Sequence, residues 1–248
     1  MPGNLIVIVA CQAALLIAAL VLFRIANQRV GISWLLAGGI GVGFGVFMDA
    51  VLGIHGIFAY LPNGPQAPFV RPKDLPLEVL IFNALASYGV AAATVATISA
   101  RVVTAGTPAT SWSSRLTIAP LFGSIAVTLC APASVPMMVA WGAILIGGGE
   151  LALYVSGRSG PFLSLLSGSG WKPVVTLWAF SFVIGSIYEV CNTLFPFWIW
   201  LPGADVDTFR LKVLISTLGY MALMHPMAVL YILLDQPQDG KRQRLPPI

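Results

Sequence analysis

The chain has 248 residues, of which 58% are hydrophobic and only 9% charged, with a formal net charge of +4 and a mean hydropathy of +0.89. Soluble domains carry roughly 25% charged residues, so this chain cannot clothe itself in a hydrated surface, and lipid is its outer solvent. Its basic residues stand singly between apolar runs, a pattern that serves membrane topology and gives no nucleic-acid partner a face to bind.

A helix needs about 20 apolar residues to cross the hydrocarbon core. In chain order the runs that qualify are Leu5–Phe23, Ile32–Ile54, Leu77–Ala100, the shorter Leu116–Ala131, Val135–Val155, Val174–Leu194 and Val213–Leu234. Arg24 and Arg29 follow the first run and no basic residue precedes it, so it reads as a retained helix and not a leader. Turn-forming residues separate the runs, as at Asn63-Gly64-Pro65, Gly157–Gly160 and Pro202-Gly203. Cys11, Cys130 and Cys191 lie inside apolar runs without a CxxC spacing, which predicts small apolar packing residues. The expected fold is all-α: one polytopic domain of about seven transmembrane helices, followed by a tail over 235–248.

Orientation follows from the cations. Arg24, Arg29, Arg101, Arg115, Arg158, Lys172, Lys241, Arg242 and Arg244 share one side; Arg71, Lys73, Arg210 and Lys212 share the other. The positive-inside rule then predicts a cytoplasmic C-terminus and an N-terminus outside.

Two regions resemble each other at an offset of 140 residues. Gly45-x3-Asp49 corresponds to Gly185-x3-Glu189, and Phe58-Ala59-Tyr60-Leu61-Pro62 to Trp198-Ile199-Trp200-Leu201-Pro202. After a shorter connection, Leu77-Glu78-Val79-Leu80-Ile81 lies over Leu211-Lys212-Val213-Leu214-Ile215. These define half-repeats over 32–100 and 174–234 in a parallel 3+1+3 arrangement, which places a binding site between the halves.

Four of the nine acids fall in or beside the spans: Asp49, Glu78, Glu150 and Glu189. Intramembrane carboxyls are expensive and mark function, and burial without a basic partner favours the uncharged acid. Helix directions place Asp49, Glu78 and Glu189 near the outer end and Glu150 near the cytoplasmic side. Glu78 also suits the helix start after Pro76, Glu150 after three glycines suits a packing contact, and His225 before Pro226 suits a structural role. Asn192, three residues after Glu189, shares its helix face and could orient it. Phe58, Tyr60, Phe82, Tyr88, Tyr188, Trp198 and Trp200 accompany the acids. Such aromatics commonly form interfacial belts, but beside a neutral acid their faces can also stabilise a carbocation.

Met48-Asp49-Ala50-Val51, Gly53-Ile54-His55-Gly56-Ile57-Phe58 and Asp74-Leu75-Pro76-Leu77-Glu78 resemble the half-repeat of the membrane-bound lycopene cyclases. The paired Asp49 and Glu189 resemble the acids of the integral membrane terpene cyclases of meroterpenoid pathways. Val79 follows Glu78 where lycopene cyclases carry a second acid, and Lys212 stands where an acid would recur, so the resemblance implies a different isoprenoid substrate. It implies an intramolecular lyase or isomerase without metal or redox cofactor, with Asp49, Glu189 and Glu78 as acids and the aromatics and Asn192 around the substrate. Either Asp49 or Glu189 could give the proton. No DDxxD string is present to bind magnesium-held diphosphate, and helix seven has no lysine for retinal. The alternatives are a small proton-coupled transporter of the same helix plan and a noncatalytic membrane protein.

Overall fold

The computed structural model describes residues 34–61, 68–77, 134–156, 160–166, 170–201 and 209–234, with isolated positions elsewhere. This part is mostly helical. Helix α1 (Trp34–Ile54) ends where Gly56 takes a φ of 64°. Gly56 N–H bonds the Gly53 carbonyl and Ile57 N–H that of Leu52, which is a Schellman stop of the kind that favours glycine at this position. The released chain turns at once into β1 (Phe58–Tyr60).

Helix α2 (Val135–Val155) starts at Ser134, whose hydroxyl accepts from Met137 N–H, with proline in its first turn. A short helix, α3 (Pro161–Leu166), follows where the sequence predicts only a break. Helix α4 (Lys172–Leu194) also has proline in its first turn, leads into β2 (Trp198–Trp200), and is followed by α5 (Phe209–Leu214). A five-residue π-turn, Ile215–Gly219, carries α5 directly into α6 (Tyr220–Leu234).

Among the described residues, Val135–Val155, Lys172–Leu194 and Phe209–Leu233 are long and apolar enough to cross a membrane, and Gly39–Gly53 is a shorter apolar helix. The chain is therefore membrane-associated and helical, with boundaries close to those expected at these runs. The expected helices Leu5–Phe23, Leu77–Ala100 and Leu116–Ala131 lie outside the described residues or touch them only at isolated positions.

The aromatic segments between the apolar runs, in a chain expected to be all-α, form a two-stranded antiparallel ribbon. Phe58 stands opposite Trp200, Ala59 opposite Ile199 and Tyr60 opposite Trp198. Leu61 N–H donates to the Phe197 carbonyl and Leu201 N–H to that of Ile57, closing both ends. Inside an apolar protein each strand must find partners for its backbone groups; the strands supply them to each other, and Tyr60 exchanges both of its backbone bonds with Val70.

Helix α6 packs on α2 and α4 and touches α1. Its buried Met224, Met227 and Tyr231 join Met48, Phe58, Tyr60 and Trp200 in one core. Since lipid is as apolar as these side chains, close fit drives the association. Gly185 of α4 is one such fit: a Cβ there would lie 2.6 Å from the Tyr220 ring and 3.1 Å from Ser216 Cα.

Candidate functional site

Asp49 occupies the last turn but one of α1 and is wholly buried. The Tyr60 hydroxyl donates to its Oδ2 at 2.7 Å. Glu189, on α4, is 4% exposed; the Trp200 indole N–H donates to its Oε1 at 3.1 Å and the Tyr220 hydroxyl reaches the same oxygen at 3.4 Å. Each acid is thus bonded by an aromatic donor eleven residues further along, one on each strand of the ribbon.

These donors wall a small chamber of about 70 Å³, lined among the described residues by Phe58, Tyr60, Tyr188, Trp198, Trp200 and Tyr220 together with Leu52, Ala91, Leu223 and Met224. The acids stand behind the rings and are not among its described wall residues. Phe58 meets Tyr60 edge-on at 5.4 Å and Trp200 at 5.8 Å, and Tyr188 meets Tyr220 at 5.7 Å. The wall therefore offers negative ring faces and phenolic hydroxyls, a lining suited to a transient cation. Leu52, Trp200 and Leu223 separate this chamber from a larger apolar hollow of about 420 Å³ between α2, α4 and the α5–α6 rod. The smaller space holds about two waters' worth of volume, whereas the larger falls within the roughly 300–1,000 Å³ of ligand pockets.

Of the residues expected from the sequence, Phe58, Tyr60, Tyr188, Trp198 and Trp200 come together around the chamber. Asn192 does something different. Its Oδ1 accepts from Phe197 and Trp198 N–H while its amide donates to the Trp198 carbonyl. It anchors the entry to β2 where sequence spacing had it orienting Glu189. Glu78, Phe82 and Tyr88 lie outside the described residues. Tyr220 is the residue that sequence reasoning missed, because the π-turn decides which way it faces.

Glu150 is fully buried and bonded apart from the chamber acids. Its carboxylate accepts Phe162 and Leu163 N–H at the start of α3, and His225 Nε2 lies 2.7 Å from Oε1. The contact expected of Glu150 and the structural role expected of His225 are one pair. No group of His, Cys, Asp or Glu among the described residues could hold a metal ion.

No protein-family model matches this chain, and no curated protein or solved structure does so either.

Proposed function

We propose that the protein is an integral membrane terpenoid cyclase that closes rings on an isoprenoid or prenylated substrate by adding and later removing a proton. The observation that carries this reading is the pairing of two buried carboxyls, each bonded to an aromatic donor, around one aromatic chamber. Protonating an alkene or epoxide needs a positioned acid, and the cation it creates needs ring faces and exclusion of water. The adjoining hollow, with no charged residue among its described lining, suits the rest of a hydrocarbon chain.

The seven-helix plan and the internal repeat belong to the same proposal. Strand pairing about Ala59–Ile199, the two end bonds of the ribbon, and the acid–donor spacing all repeat at an offset of 140 residues. A two-fold axis through the ribbon would produce that pattern. The cytoplasmic C-terminus, read from the cation count, action without a cofactor, and the bilayer and substrate as partners also belong to the proposal.

The test is incubation of the purified protein with linear polyene alcohols and their terminal epoxides. An isomer of unchanged mass is expected, and Asp49→Asn or Glu189→Gln should each reduce its formation by roughly 10²-fold or more. Failure of the intact protein to convert any of them, together with proton-coupled solute uptake by proteoliposomes, would replace the cyclase by a transporter.

A further inference from the structure

The two acids look alike in sequence but are bonded by donors of different chemistry. A phenolic hydroxyl can accept one proton while giving another; an indole N–H can only donate. The Tyr60 hydroxyl sits 2.7 Å from Asp49 Oδ2 and its side chain lines the chamber, whereas Asp49 itself is wholly buried. On the other side the shorter contact to Glu189 is the Trp200 indole, and the Tyr220 hydroxyl stands at 3.4 Å, near the outer limit of a hydrogen bond.

Resting on the cyclase reading, we infer that Tyr60 is the group that passes the proton into the chamber, with Asp49 as its source, and that Glu189 is the fixed electrostatic partner. In the forward step the Tyr60 hydroxyl, which donates to Asp49 Oδ2 at rest, rotates its hydrogen toward the chamber, and the Asp49 O–H bond breaks as its proton joins Tyr60 Oη. The hydroxyl's own O–H bond breaks as that proton joins the terminal alkene carbon or epoxide oxygen. Asp49 is left a carboxylate, and the positive charge moves to the substrate carbon skeleton. After ring closure, a C–H bond beside the cationic carbon breaks, its electron pair forms the new alkene, and the proton returns through Tyr60 to Asp49. No atom or electron is gained or lost, so the product is an isomer and the dyad is reset.

Trp200 lacks this ability, and its ring divides the chamber from the apolar hollow. The indole keeps Glu189 Oε1 an acceptor throughout the cycle, so Glu189 faces the cation as a held charge or dipole behind the wall. Both acids have a tyrosine on the chamber wall, and the tighter phenol contact, 2.7 Å at Asp49 against 3.4 Å at Glu189, assigns the direction of proton flow that their sequence similarity leaves open.

Difference infrared spectroscopy of the full chain in nanodiscs tests the dyad without any substrate. A protonated-carboxyl C=O band that disappears in Asp49→Asn should shift in Tyr60→Phe and stay in place in Trp200→Phe. Absence of an Asp49-dependent band, or a band indifferent to Tyr60→Phe, overturns the relay. Geranylgeraniol terminal epoxide then serves as the turnover probe, with Kd from quenching of tryptophan fluorescence. Tyr60→Phe should lower the single-turnover rate by roughly 10²–10⁴-fold with Kd changed less than about threefold; Trp200→Phe should lose much less. Isomer formation at the native rate in Tyr60→Phe also overturns it. A coupled infrared band with no isomer from the native protein would sustain the relay and sink the cyclase reading instead.

Discussion

At the residue scale, Glu150 illustrates how a membrane interior accommodates a carboxyl. Two backbone amides and one imidazole nitrogen surround it, and Gly160 leaves the space: a Cβ there would fall on the carboxylate itself. Removing the acceptor of buried donors costs about 1–3 kcal/mol, since the donors stay behind unpaired. Glu150→Ala should therefore destabilise the protein by that amount, read as a lower midpoint of thermal unfolding in detergent, while Glu150→Gln keeps an acceptor and loses less. If Glu150→Ala unfolds like the native protein, the pair has no structural weight. Glu150 and His225 are each visible in the sequence as polar residues in apolar runs. Their meeting is not, because 75 positions separate them and only the packing of α6 on α2 brings them together.

At the element scale, the π-turn and the glycine opposite it form one device. Tyr220 N–H bonds the Ile215 carbonyl, a five-residue span, so the helix gains a residue and the side chains beyond it rotate. That rotation seats Tyr220 on Gly185 with its hydroxyl toward Glu189. π-Turns inside helices are frequent at functional sites, and the small residue permits the close approach. Gly185→Ala should cost about 1–3 kcal/mol by overpacking and displace Tyr220, lengthening its contact with Glu189; a crystal or cryo-EM structure of the variant would show the ring in its native place if this is wrong. The lengths of α1, α2, α4 and the α5–α6 rod were legible from hydropathy, because each has to satisfy its own backbone over an apolar run. The π-turn was not, since one inserted residue leaves the apolar pattern almost unchanged.

At the scale of the whole molecule, the ribbon joins segments 140 residues apart and brings the aromatic donors of both acids to one chamber. Opposed residues of an antiparallel pair have Cα atoms about 4.5–5.5 Å apart, within disulfide reach. With Cys11, Cys130 and Cys191 replaced by serine, Ala59→Cys combined with Ile199→Cys should cross-link under mild oxidation. Joining cysteines at 59 and 193 should fail. Mass spectrometry of the digested product distinguishes the two, and an unlinked 59–199 pair would dissolve the ribbon. The correspondence between Phe58–Pro62 and Trp198–Pro202 was readable as a similarity. That the two copies pair with each other was not, and strands had no place in the all-α expectation, because three-residue strands leave no periodicity to detect.

The sequence by itself determined the solvent, the described membrane-length helices and the presence of carboxyls within them: a 9% charge content forces the chain into lipid, and a carboxyl in an apolar run carries a high cost. Tertiary structure alone decided which groups hold those acids. Asp49 meets a tyrosine, Glu189 an indole and a second tyrosine, Glu150 a histidine, and Asn192 turns from Glu189 to the backbone of β2. The reason is that burial is a property of one residue and its neighbours in the chain, whereas a hydrogen bond needs two groups whose meeting depends on how whole helices pack.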